Sequence, residues 1–143
     1  MPKNFILILL ISTLDTFAQN KTVVALDYDT SDPIPYIFLF CGDKKLGETD
    51  EYGAIEISSL KCEYFTFRYV GFHTIRLSSE TLSKIDTLNF FRDYTKLSMK
   101  NSKYRPHKKI QNDRISFEKH GFKYIYLYDE KDHSLELRID NVH

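Results

Sequence analysis

Neither sign of charge is in excess in this chain: Lys plus Arg and Asp plus Glu both total 20, so the formal net charge is zero. That balance gives no reason to expect nucleic acid or an anionic membrane as the main partner. Tryptophan is absent and cysteine occurs only twice. There is no internal repeat and no low-complexity tract. No G-x-S-x-G elbow or phosphate-cradling loop appears, which removes the commonest sequence signatures of α/β hydrolases and nucleotide-binding enzymes. What the chain has in quantity is apolar and aromatic: 42% hydrophobic residues, with ten Tyr and eleven Phe among 143 residues. This is enough to fill a core, so global disorder is not expected, and Tyr and Phe lean the prior toward strands.

The first residues stand apart. Lys3 gives a positive start, Phe5 to Ile11 is an unbroken apolar run, and Thr16-Phe17-Ala18 places small residues where a signal peptidase inspects them. The layout is that of a secretory signal peptide over residues 1–18, cut between Ala18 and Gln19. A buried N-terminal helix or strand is the alternative. The run is too short to span a bilayer, which takes about 20 apolar residues, and Asp15 ends it. No Cys follows it, so a lipid-anchored N-terminus is not supported. In an oxidising compartment, an even number of cysteines suggests a bridge between Cys41 and Cys62, worth roughly 3 kcal/mol for a loop of about twenty residues. Two buried free thiols are the alternative.

Alternating apolar runs separated by turn residues follow. Thr22 to Tyr28 reads as a strand with Val24 and Leu26 on one face, and Asp29-Thr30-Ser31-Asp32-Pro33 as a turn. Tyr36 to Cys41 is apolar on both faces, so it should lie centrally or be covered. Gly42 to Lys45 turns the chain. Asp50 to Gly53 turns it again, with Gly53 suited to positive φ. Ala54 to Ile57 is a short strand. Glu63 to Val70 alternates with Phe65, Phe67 and Tyr69 inward and Thr66 and Arg68 outward. Gly71 permits a bend, His73 to Leu77 continues, Ser79 caps a helical turn over Glu80 to Lys84, and Ile85 to Phe91 completes the set. About seven short strands in 70 residues, with turns every 8 to 12, predict an all-β sandwich.

Three of these stretches, taken in order, resemble the carboxypeptidase-regulatory-like domain. They are D-x-x-T-x-x-P-I-P at Asp27, Thr30, Pro33, Ile34 and Pro35; T-D-x-x-G at Thr49, Asp50 and Gly53; and F-x-F-x-Y-V-G-F at Phe65, Phe67, Tyr69, Val70, Gly71 and Phe72. The stretch before Thr49-Asp50 is about one residue shorter than in that pattern. The resemblance covers residues 22–91. It implies a transthyretin-like (prealbumin-like) seven-stranded antiparallel sandwich over 19–92 in which the named residues are structural. It also implies that the strands holding Tyr36–Cys41 and Glu63–Val70 run antiparallel side by side, which would bring Cys41 and Cys62 within bonding reach.

Beyond residue 92 the resemblance stops. Residues 93–118 read as a basic exposed linker, with Lys96, Lys100, Lys103, Arg105, Lys108 and Lys109 around Pro106. Residues 119–143 read as a C-terminal β-hairpin, in which Tyr124, Tyr126 and Tyr128 alternate with Ile125 and Leu127, and Leu135, Leu137 and Ile139 with Glu136, Arg138 and Asp140. A lone hairpin is marginal in water, so it should dock on the sandwich or on a partner. Its tyrosines are candidates for a partner surface, or else for docking on the sandwich's own core.

Candidate chemistry is thin. His133 and Glu136 have the H-x-x-E spacing of a zinc site, but residues three apart on a strand point to opposite faces. Asp27, Asp29, Asp32 and Asp50 could suggest Ca²⁺, but turn-forming Asp is the simpler reading. The transthyretin-like fold also hosts 5-hydroxyisourate hydrolase, whose C-terminal Tyr-Arg-Gly-Ser motif is missing, since Tyr104-Arg105 is followed by Pro106. The expectation is therefore a non-catalytic exported sandwich. It would act as a structural or protein/glycan interaction module at the periplasm or cell surface, with no cofactor. A small-ligand or metal-binding transthyretin-like protein is the alternative, and a hydrolase comes third.

Overall fold

The computed structural model describes residues 21–58, 60–93 and 114–142. The expected signal peptide, residues 94–113 of the expected linker and His143 lie outside the described residues. Among the described residues, ten strands and one short helix follow in chain order: β1 (Thr22–Asp27), β2 (Phe38–Cys41), β3 (Lys44–Glu48), β4 (Ala54–Glu56), β5 (Tyr64–Arg68), β6 (Thr74–Ser78), α1 (Ser79–Ser83), β7 (Thr87–Phe90), β8 (Arg114–Lys119), β9 (Phe122–Asp129) and β10 (Ser134–Asn141). They form two sheets, a three-stranded one ordered β4-β1-β7 and a seven-stranded one ordered β3-β2-β5-β6-β10-β9-β8. The all-β class is as expected. The arrangement is not purely antiparallel, however, because β1 runs parallel to β7 and β6 parallel to β10.

Alternation decides which side chains face inward. On β5 and β6, Phe65, Phe67, Ile75 and Leu77 are buried, while Arg68 and Arg76 are exposed. On β1 the buried set is Val23, Ala25 and Asp27, one residue out of phase with the expected Val24 and Leu26. Four consecutive apolar residues there carry no period, so composition alone could not choose the face. Packing chooses it. The Ala25 N–H donates to the Gly53 carbonyl (2.8 Å), and its carbonyl accepts from the Ile34 N–H (2.9 Å). Gly53 and Ile34 therefore both pair with the backbone of Ala25. Gly53 has φ +73°, and a Cβ there would sit 2.9 Å from the Ala25 carbonyl oxygen.

Several residues of the three stretches hold the backbone through their side chains. The Asp27 carboxylate accepts from the Asp29 N–H (2.8 Å) and from Arg92 Nε and an Nη (2.9 and 2.7 Å), which compensates its burial. The Thr30 hydroxyl accepts from the Asp32 N–H, and Pro33 bridges to Leu26. Buried Thr49 donates through its hydroxyl to the Ile34 carbonyl (3.1 Å) and accepts from the Ile37 N–H (2.9 Å), holding the chain on either side of Pro35. Asp50 closes its turn by accepting from the Tyr52 and Ala54 N–H groups, both at 2.9 Å. Gly71 (φ +86°) accepts at its carbonyl from the Asp93 N–H, and the Tyr69 and Phe72 rings lie 5.9 Å apart. β2 and β5 pair antiparallel, with Cys41 opposite Phe65. Cys41 and Cys62 are joined in a disulfide with their Cα atoms 5.9 Å apart.

Three expectations need correction. The stretch Lys44–Glu48 is a strand, β3, and not only a turn. Its pairing with β2 shifts register between Leu39 and Phe40, and such a bulge disturbs the simple period that would have marked it. The helix cap is Ser78, whose hydroxyl accepts from the Thr81 N–H, and not Ser79. The C-terminal region is more than a hairpin and is not set apart: β8, β9 and β10 form an antiparallel meander that joins the sandwich's larger sheet through β6. The expected linker therefore ends by Arg114. The turn His120-Gly121, both at positive φ (51° and 79°), closes β8 onto β9, the geometry that two-residue hairpin turns require.

Substituting Gly53→Ala should lower stability by about 1–3 kcal/mol, from the left-handed backbone and the clash with Ala25 together. Gly42→Ala, also at positive φ (+59°) but with open space around it, should cost less. Chemical denaturation of both variants checks the order, and a larger loss for Gly42→Ala contradicts the packing described.

Candidate binding face

The inner faces of the two sheets are filled. Phe67 lies 6.2 Å from Phe90 edge-on, Phe91 4.8 Å from Tyr126, and Phe117 stacks on Tyr124 at 5.0 Å. Tyr124 and Tyr126, candidates for a partner surface or for docking on the sandwich's own core, belong to this interior: Tyr126 is fully buried and Tyr124 nearly so. They face inward because their ladder partners Ile139 and Leu137 do, directly opposite them on β10. Tyr128 is only half-buried, and its hydroxyl lies 2.8 Å from His133 Nδ1. Burial raises the pKa of Tyr126 well above that of an ordinary tyrosine, against a smaller lowering by Asn89 of β7. The hydroxyl lies next to Asn89, outside ideal hydrogen-bond geometry.

The other sequence candidates are dispersed. Glu136 accepts from Arg138 Nε (3.1 Å) while His133 engages Tyr128, so the H-x-x-E pair does not converge. Asp27 and Asp50 are committed to Arg92 and to a turn. Among the described residues, no group of three or more His, Cys, Asp or Glu side chains could hold a metal ion. A buried pair unforeseen in the sequence, His73 and Asp93, places Nδ1 and Oδ2 3.8 Å apart where residues 71–73 run beside 91–93. Both cysteines are bonded, so the chain offers no thiol nucleophile.

The outer face of the seven-stranded sheet is a different surface. The alternation that buries Phe65, Phe67, Ile75 and Leu77 turns Tyr64, Thr66 and Arg68 of β5 and Thr74 and Arg76 of β6 outward. β2 contributes Phe38, opposite Arg68, and Phe40, opposite Thr66. Three cations lie over three rings there: Lys45 Nζ 4.2 Å above Phe38, the Arg68 guanidinium 4.9 Å from Phe40, and that of Arg76 4.7 Å from Tyr64. Such contacts hold a flexible charged side chain in place. Among the described residues, the outer face of β2 is thus covered by cations and not by another protein layer. No sequence period reveals this, since Lys45, Arg68 and Arg76 come from three separate strands.

Two adjoining depressions mark this face, of about 690 and 840 Å³, and both are lined by Arg68 and Thr74. The first adds Tyr64, Thr66, Arg76 and Ser134, with Asp43, Glu63 and Asp132 also along its lining. The second is apolar, formed by Tyr36, Phe38, Tyr69, Val70 and Phe72. Val70 is 90% exposed and Tyr36 53%. Tyr36 has φ +60°, a left-handed conformation uncommon for a bulky residue, held by its N–H to the Thr49 carbonyl (3.1 Å). Lys45 is paired with Glu48 and Arg138 with Glu136. Arg68 and Arg76 have no carboxylate partner among the described residues.

Comparison with protein-family models, with curated proteins and with solved structures returned no match for this chain.

The pH dependence of stability tests the interior. The native state holds the Tyr126 proton above the pH at which the unfolded chain releases it, about 10. Stability is therefore complete below that pH and falls as pH rises beyond it. Tyr126→Phe should change neutral-pH stability by no more than about 1 kcal/mol and shift alkaline unfolding to higher pH. An unchanged alkaline midpoint contradicts burial of that hydroxyl.

Proposed function

We propose that the protein is a non-catalytic, exported β-sandwich that serves as a structural or interaction module at a bacterial envelope, contacting protein or glycan through the outer face of its larger sheet. The observation that carries this reading is the pairing of a filled interior with an outer face bearing ordered cations and exposed rings. The Cys41–Cys62 disulfide is compatible with an oxidising compartment, and the apolar leader at Phe5–Ile11 favours export. No helix among the described residues is long and apolar enough to cross a membrane. The ordered family-like stretches support the comparison with the carboxypeptidase-regulatory-like domain, in which such a sandwich accompanies other modules. The 690 Å³ depression, with two arginines and several hydroxyls, favours a small-ligand-binding protein as the second reading.

Two measurements test the proposal. Residues 1–24 fused to a reporter that folds only in oxidising compartments should yield an active reporter in a bacterial host, and a silent fusion argues against export. The purified chain should co-sediment with isolated bacterial envelopes, and Arg68→Glu with Phe38→Ser should reduce that binding several-fold. Envelope binding that survives the double substitution contradicts the assignment to this face. One tightly held zinc per purified chain would replace it with the metal-binding reading.

A further inference from the structure

The larger sheet ends at β8, which has no strand beyond it among the described residues. The two-residue turn His120-Gly121 makes Lys119 and Phe122 the closing pair of the β8–β9 hairpin, and the register runs unbroken from there to Arg114. A closing pair of this type exchanges both main-chain hydrogen bonds, and such pairs alternate along an antiparallel ladder. Lys119, Phe117 and Ile115 therefore direct their N–H and C=O groups at β9. Those of Arg114, Ser116 and Glu118 point the other way, into the open edge. The side chains of these three residues are exposed, Ile115 is buried and Phe117 is half-buried. Neither Arg114 nor Glu118 forms an ion pair among the described residues, not even Glu118 with Lys123 opposite it on β9.

We infer that β8 pairs antiparallel with β8 of a second copy of this chain, in a two-fold symmetric dimer that continues the larger sheet across both copies. The sequence R-I-S-F-E over 114–118 is complementary to itself in one register. Centred on Ser116, it sets Arg114 opposite the partner's Glu118, Ile115 opposite the partner's Phe117, and Ser116 opposite the partner's Ser116. Outward-pointing main-chain groups then meet outward-pointing ones at all three of 114, 116 and 118, for about six ladder bonds, two per pair. On the inner side, Phe117 stacks on Tyr124, and the partner's Ile115 covers its open flank. Centring on Phe117 instead would set Ile115 against the partner's Lys119 and part Arg114 from the partner's Glu118. Edges protected against pairing carry like charges or bulges. The other end of the sheet, β3, is of that kind: its register is broken by a bulge, and Lys45 and Glu48 are already paired within the chain. No residue of β8 lines the two outer-face depressions, so the dimer leaves that face open.

The test is analytical ultracentrifugation of the purified chain over a concentration series, which should give a mass twice that of one chain. Ser116→Pro removes an outward N–H and places the ring in the open edge, leaving the bonds to β9 in place. It should give a monomer with an unchanged circular dichroism spectrum. Arg114→Glu and Glu118→Arg each turn both cross-strand ion pairs into like-charge pairs, and each should weaken dimerisation by about tenfold. Mixing these two variants, or combining both substitutions in one chain, restores opposite charges at both positions and should recover the native affinity. The charge variants carry the test even where Ser116→Pro fails to fold. A monomer at every concentration overturns the inference. So does a dimer indifferent to Ser116→Pro, or a loss in the single charge variants that mixing them does not recover.

Discussion

The structure depends on one geometric constraint, the period-two alternation of side chains along β5 and β6. Burying Phe65, Phe67, Ile75 and Leu77 between the sheets leaves Tyr64, Thr66, Arg68, Thr74 and Arg76 no direction but outward. A slip of one residue in either strand would send guanidiniums into the core and phenyl rings into water. The interior and the outer face are therefore two consequences of one register. The side chains of Asp27, Thr49 and Asp50 hold other parts of the chain, the segments around residues 29, 34–37 and 50–54, away from that face.

The C-terminal meander extends the same logic. A hairpin alone buries too little to stand by itself. Pairing β10 beside β6 gives it a hydrogen-bonded neighbour and sets Leu135, Leu137, Tyr124 and Tyr126 against Phe91 and the second sheet. Because β10 enters parallel to β6, Ser134 lines up with Thr74 and Glu136 with Arg76. The outer face thereby gains a hydroxyl beside Thr74, and a carboxylate beside Arg76 that is already engaged by Arg138. The depression around Arg68 and Arg76 thus draws on β10 as well as β5 and β6.

Much of this was legible in the residues, and the rest failed for identifiable reasons. Clean alternation over Glu63–Val70 and His73–Leu77 marked both strands and their inner faces, and the turn residues at 29–33 and 50–53 marked the chain reversals between sheets. The disulfide was expected from cysteine number in an oxidising compartment, together with the strand adjacency that the family resemblance implies. Where the pattern lacked a period, as in Val23-Val24-Ala25-Leu26, the face could not be chosen from sequence. β3 was hidden by its charge and by the bulge opposite it. The tyrosines of β9 were visible as a stripe, but a stripe does not say whether its cover is the same chain or another. The candidate face was the least legible part, because its rings and cations come from four strands and meet only after folding. Its one trace was that Tyr36–Cys41 is apolar on both sides, a strand that demanded a second cover.

The most direct measurement of the central claim is hydroxyl-radical footprinting of the native chain, read residue by residue. The register described predicts rapid modification of Tyr36, Phe38 and Tyr64, and strong protection of Phe67, Phe90 and Tyr126. Comparable modification of the two groups, or protection of Tyr64 with modification of Phe67, would contradict it.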